Sequence, residues 1–304
     1  MGNGHDHNHG ANKKALLFSF IITTVYMISE AVGGFVTNSL ALLSDAGHML
    51  SDAISLGVGV LAFSIGEKTA NYSKTYGYKR FEILAAAFNG ISLLVVAIYI
   101  FYEAFGRFRN PPEVASGGML IIAAIGLVVN IFVAWLLMRG DTKENLNLRA
   151  AFLHVLGDLL GSIGAIVASL LIIFFNWGLA DPLASVIVAV LVLISGWRVT
   201  KDAVHVLMEG TPQNLNVDEI INTITSRPQI ISVHDLHLWA ITSGQNALSC
   251  HAVVSSDLTL KEIQNILDEL ERALSKEGID HITIQVENPH NSHNESLLCN
   301  TLND

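Results

Sequence analysis

Only two cysteines, Cys250 and Cys299, occur in 304 residues. That excludes a disulfide framework or a cysteine-built zinc knuckle and fits a reducing compartment. Charge is scarce as well. Asp, Glu, Lys and Arg supply 14% of the chain against 51% for hydrophobic residues, and mean hydropathy is +0.47, a balance that belongs to a polytopic membrane protein with the lipid bilayer as its solvent. No Lys/Arg stripe is present, so nucleic acid is not a partner. No HExxH run exists, which removes the usual signature of a membrane zinc hydrolase. The first apolar run follows Lys13 and Lys14 without an A-x-A-like cleavage site and leads almost directly into another, so it reads as a transmembrane helix rather than a signal peptide. The net charge of -10 is spread over loops and a soluble tail rather than gathered in one block.

What is present are six apolar stretches close to the roughly 20 residues a bilayer requires, at about 15–36, 40–65, 81–102, 118–138, 150–175 and 181–207. Basic residues gather at Lys13 and Lys14, in the second-to-third loop (Lys68, Lys74, Lys79, Arg80) and in the fourth-to-fifth loop (Arg139, Lys143, Arg149). The opposite loops offer only Arg107 and Arg109. The positive-inside rule therefore predicts both termini in the cytoplasm. Residues 1–12 carry His5, His7 and His9 among polar neighbours, a tract that builds no core but can present imidazoles to a metal.

Past Gly210 the composition becomes that of a small soluble domain. An amphipathic helix at 217–226 stops before Pro228, β-rich runs at 230–241 and 247–254 flank a turn with Gly244, a helical period fills 260–276, and a last strand covers 282–286. The expected organisation is a histidine-bearing disordered tail (1–12), a membrane all-α six-helix transmembrane bundle (13–209), an α+β cytosolic domain of order αββαβ (210–290) and a frayed end (291–304).

Two apolar spans carry the same anomaly. His48 and Asp52 lie four residues apart in one, His154 and Asp158 in another, and each pair falls on one helix face. A carboxylate at mid-bilayer costs about 2.5 to 3.5 kcal/mol even on the lenient insertion scale. For a lone pair, an interhelical hydrogen bond would be explanation enough; two matched pairs read as function. Two imidazoles and two carboxylates suit tetrahedral Zn²⁺, with Co²⁺ able to share the set. Bound zinc would leave the site neutral, and protons on the same groups would approach neutrality when it is empty, so metal and protons compete. That competition points to exchange of Zn²⁺ for H⁺ by alternating access. A membrane-anchored metal sensor is the alternative. Rows of small residues, Gly47, Ser51, Ser55 and Gly59 beside the first pair and Gly157, Gly161, Ala165 and Ser169 beside the second, would let the two helices approach if they faced each other.

The stretches LALLSDAGHMLSD from Leu40, TYGYKRFEILAA from Thr75, LVVNIFVAWLL from Leu127, LHVLGDLLGS from Leu153 and MEGTP from Met208 resemble the cation diffusion facilitator (CDF) family, in its CzcD-like, zinc-transporter branch. The resemblance covers nearly the whole chain after the tail. It implies a homodimer of six-helix protomers with a ferredoxin-like cytosolic metal-binding and dimerisation domain, exporting zinc against protons and giving metal tolerance. The transport ligands carry over to His48, Asp52, His154 and Asp158; histidine in both pairs is associated in the family with zinc preference, and an aspartate at position 48 would widen the choice toward cadmium. A further cytosolic zinc site is implied at His234, His251 and Glu287, with His237 and His281 as weaker members and strand-surface histidines as the plain alternative. Some relatives bind another metal through histidines between the second and third spans; here that loop reads EKTANYSKTYGYKR, and no metal is expected there. The absence of a long histidine-rich loop within the membrane domain favours a bacterial cytoplasmic membrane.

Overall fold

The computed structural model describes residues 6–66, 70–138, 146–255, 257–289 and 297. Six long helices come first: α1 (Asp6–Thr37), α2 (Leu40–Gly66), α3 (Phe81–Arg109), α4 (Ser116–Met138), α5 (Leu146–Phe175) and α6 (Ala180–Leu207). They are followed by α7 (Val217–Thr225), β1 (Ile230–Thr242), β2 (Gln245–Val254), α8 (Leu260–Lys276) and β3 (His281–Glu287). The chain forms two compact units, one of residues 1–59 and 88–200 and one of 60–87 and 201–304.

In the first unit α4 packs on both α1 and α5. Among the described residues, five helical segments are long and apolar enough to cross a membrane, with mean hydropathy between 1.5 and 2.6; α2, 27 residues long, completes a six-helix bundle. Large side chains such as Phe35, Val36, Phe88, Tyr102 and Phe174 point outward, where hydrocarbon rather than water would solvate them. The interior is made of small residues, Ala123, Ala165, Ala168 and Ala180 around Leu42 and Met119, because helix association in lipid depends on close packing rather than on water expulsion.

The start of α2 is fixed by a residue from another helix. Asp181, fully buried on α6, accepts hydrogen bonds from Ser39 Oγ (2.6 Å), Leu40 N (2.8 Å) and Ala41 N (3.1 Å). It thereby satisfies backbone donors that a helix N-terminus leaves open, and Arg107 Nη1 lies 3.6 Å from its other side. Arg107 also donates to the carbonyl of Asn38 at 2.7 Å, so the turn into α2 is held from α3 and α6 together.

In the second unit the sheet order is β1-β2-β3, with β1–β2 antiparallel and β2–β3 parallel. The Ser243-Gly244 turn, with Gly244 at φ +73°, closes the hairpin, and α8 makes the crossover that a parallel pair demands. One sheet face buries Leu248, Cys250 and Ala252 against Ile220, Ile224, Leu270 and Leu274 of α7 and α8. Burial pushes the Cys250 thiol up to about 12, so it serves as a small apolar side chain. The αββαβ order and each element's position match the sequence expectation to within a few residues. Thr242 and Ser243 at the hairpin turn donate to Glu82 at 2.8 and 2.9 Å, while Arg80 Nη2 meets Glu209 Oε1 at 3.2 Å.

Candidate metal centres

His48 and Asp52 stand one turn apart on α2, and His154 and Asp158 one turn apart on α5. Asp158 is buried at 2% exposure and His48 half-buried; the side chains of Asp52 and His154 lie outside the described residues. Contact between the two helices comes through Asp45. Its carboxylate oxygens sit 2.7 and 2.9 Å from where a Cβ on Gly161 would project, so only glycine leaves room for it. Helices separated by three crossings of a bilayer run antiparallel. Moving three residues forward from Asp45 and three back from Gly161 therefore travels the same way, about 4.5 Å on each helix, and brings His48 level with Asp158.

Gly47 and Ser51, the described members of the α2 row, face α3 rather than α5. Gly47 lies against Val96 of α3, and Ser51 Oγ donates to Asn89 Oδ1 of α3 at 2.7 Å. These two residues thus pack on α3, while Gly161 of the α5 row receives α2 through the contact with Asp45. Around it the interior is polar. Tyr26 Oη donates to Glu30 Oε1 at 2.9 Å and Asn130 Nδ2 to Ser162 Oγ at 3.2 Å. Asn89 and Asn130 each bridge two helices, whereas the Tyr26–Glu30 bond runs along one helix.

The second centre lies on the polar face of the sheet. Antiparallel register sets His234 opposite His251, their rings 5.2 Å apart edge to face. Parallel register brings Glu287 to the same end of β3. His251 Nδ1 is 2.8 Å from Glu287 Oε1 and His234 Nε2 is 3.3 Å from Glu287 Oε2. His234 and Glu287 are both 6% exposed, and the three donor atoms lie within 4.8 Å of one another. His234 Nε2 is buried, makes no hydrogen bond and faces the Glu287 carboxylate. Two nitrogens and a carboxylate oxygen fit a zinc ion with one coordination position left over.

The other histidines are elsewhere. His237 Nε2 pairs with Asp235 Oδ1 at 3.1 Å and is outside the three-residue cluster. His281 shares a β3 face with Glu287 but lies six residues, about 20 Å, from it; its ring meets Tyr76 edge-on at 5.6 Å. Both are therefore set aside as ligands of this cluster. His5 is outside the described residues, and the side chains of His7 and His9, on α1, are too. Asp235 and Asp181 are the functional candidates that sequence reasoning missed. A positive φ of 50° at Asp235, in a polar residue that tolerates that conformation, leaves no pattern in the sequence.

Residues 16–208 match the profile of the cation efflux transmembrane domain, and residues 212–289 that of the cation efflux protein cytoplasmic domain. The chain is 62% identical over 297 residues to the cadmium, cobalt and zinc/H(+)-K(+) antiporter of Bacillus subtilis (strain 168), covering 97% of this chain and 96% of that protein. It is 41% identical over 289 residues to the metal cation efflux system protein CzcD of Cupriavidus metallidurans, covering 94% and 90%. A solved metal-bound C-terminal domain of the CzcD transporter from that organism is 36% identical over 24% of this chain and 99% of its own, with a TM-score of 0.22. With both domains matched in order and relatives this similar along almost the full length, the chain is an integral membrane protein that belongs to the cation diffusion facilitator, or cation efflux, family.

Proposed function

We propose that this protein exports Zn²⁺ from the cytoplasm in exchange for protons by alternating access, through a tetrahedral site made of His48, Asp52, His154 and Asp158. The observation that carries the reading is the Asp45–Gly161 contact, whose register sets His48 level with the buried Asp158. Two carboxylates and two neutral imidazoles cancel the charge of a divalent cation in a place where net charge is expensive. Protons arriving from outside occupy those same atoms and release the metal. The donor set suits zinc and admits Co²⁺ and Cd²⁺; the Bacillus subtilis relative is named for all three metals.

The protein acts as a homodimer in the bacterial cytoplasmic membrane with both termini inside, a reading supported by the match to the cytoplasmic domain of cation efflux proteins and by the basic loops. His234, His251 and Glu287 hold a regulatory zinc. That ion ties together the three strands from which these residues project and favours the folded, assembled domain by mass action.

The test is flux in proteoliposomes. An acidic lumen, from which protons leave, should drive zinc uptake into inside-out vesicles, and Asp158→Asn should abolish it while the protein still folds and dimerises. Zinc flux indifferent to an imposed pH gradient would remove the exchange mechanism.

A further inference from the structure

We propose that Asp235 is a positioning residue for the cytosolic metal site: it holds the Nε2 proton of His251 so that the Nδ1 lone pair is presented to the metal. The proposal deepens the regulatory-zinc reading above and rests on it. An imidazole that binds metal through Nδ1 must carry its proton on Nε2, and that proton needs an acceptor to fix the tautomer and the ring angle. His251 has a carboxylate at each ring nitrogen. Nδ1 is 2.8 Å from Glu287 Oε1 on the metal side, and Nε2 is 3.7 Å from Asp235 Oδ2 on the other. At that distance Asp235 is an ion-pair contact, and the proposal requires metal binding to bring the two within the hydrogen-bond length of about 2.9 Å. The other carboxylate oxygen is held by His237 Nε2 at 3.1 Å, so the acceptor is itself anchored.

The backbone is arranged for this. A strictly alternating strand sets neighbouring residues on opposite faces, which would keep Asp235 away from a ligand set containing His234. The register of β1 on β2 shifts between His234 and His237, and Asp235 takes a left-handed conformation at φ +50°. Such a bulge re-aims a side chain. Here it lets two neighbouring residues, His234 and Asp235, both reach His251, one with its ring and the other with its carboxylate.

The competing explanation is that Asp235 is present only because the bulge needs a residue tolerant of positive φ. Asn and Gly tolerate it as well or better, which gives two substitutions that keep the backbone and remove the carboxylate. Zinc affinity would be measured by competition with a chromogenic chelator on the full-length protein. The background carries Asp52→Ala and Asp158→Ala, and alanine at His5, His7 and His9, so that only cytosolic ligands count. Asp235→Asn and Asp235→Gly should each weaken zinc binding by about 10- to 100-fold, with the far-ultraviolet circular dichroism unchanged. In ¹⁵N-histidine spectra of the zinc-loaded protein, an exchange-protected Nε2–H signal of His251 should be present in the parent, weakened in Asp235→Asn, whose neutral amide oxygen is a poorer acceptor, and lost in Asp235→Gly. Parent-like affinity in both variants would overturn the role of Asp235. Glu287→Gln distinguishes the two levels of the argument. If it weakens zinc binding and the Asp235 variants do not, Asp235 alone is wrong. If it has no effect either, the cytosolic site is wrong and the proposal falls with it.

Discussion

Substituting alanine at two glycines of α5, one turn apart, separates helix propensity from the contact proposed to align the transport site. Alanine is favoured over glycine in a helix interior by about 1 kcal/mol. At Gly164 nothing among the described residues lies within 4 Å of the added carbon, so Gly164→Ala should keep most of that gain. At Gly161 the added carbon would lie 2.7 Å from Asp45 Oδ1, 2.9 Å from Asp45 Cγ and 2.9 Å from Oδ2. A carbon cannot approach a carboxyl that closely, and Asp45, only 3% exposed, has little room to retreat. Overpacking of this kind costs about 1–3 kcal/mol, which cancels or exceeds the propensity gain. Gly161→Ala should therefore be less stable than Gly164→Ala by roughly 1–3 kcal/mol. A shift of α2 against α5 also moves His48 relative to Asp158, and a misplacement of about 1 Å can cost on the order of 100-fold in a positioned site. Thermal unfolding of the purified proteins and zinc efflux in proteoliposomes would be measured side by side. If Gly161→Ala transports zinc as fast as Gly164→Ala and melts with it, the Asp45–Gly161 contact does not set the register of the site.

Two further outcomes follow from single residues. Asp181→Asn removes the charge that faces Arg107 and weakens the acceptors for Leu40 N and Ala41 N; a lost helix cap alone costs about 1–2 kcal/mol, and unfolding in detergent should show at least that loss, whereas an unchanged melting temperature would mean that α2 is held elsewhere. In α8 the Thr259 backbone N–H and hydroxyl donate to Glu262 Oε2 at 2.8 and 2.7 Å, which holds that carboxyl below its ordinary range. Because the folded value is depressed, the contribution is present above the unfolded carboxylate range and is lost as pH falls through the folded one. Urea midpoints should decline with acid less steeply in Glu262→Gln than in the parent; parallel curves would refute this.

The soluble domain was legible because its signals are local. Apolar residues at Ile263, Ile266, Leu270 and Leu274 declare α8, and Pro228 and Gly244 punctuate what flanks β1. The membrane spans were legible for a related reason, since hydrophobic length alone predicts them. What stayed hidden is contact between segments far apart in the chain. Asp181 reads only as the polar start of the sixth span, yet it caps the second. The small-residue rows were visible, but their rotation was not. A stripe can pack on any neighbour, and Gly47 and Ser51 of the α2 row meet Val96 and Asn89 of α3.

The same distinction explains the two proposed metal centres. In each, the residue types were conspicuous: ionisable groups in lipid are expensive enough to stand out, and His234, His251 and Glu287 occupy strands of known order. Membership depended on geometry. His237 is closer in sequence to His234 than any other candidate, and His281 shares the face of Glu287, yet neither joins the cluster, because a bulge turns one toward Asp235 and strand length carries the other to Tyr76. Spacing therefore nominates ligands, while the register of β1 on β2 and of β2 on β3 selects among them. A change that slips either register by one residue exchanges the two faces of a strand, and it should abolish cytosolic metal binding even with every histidine in place.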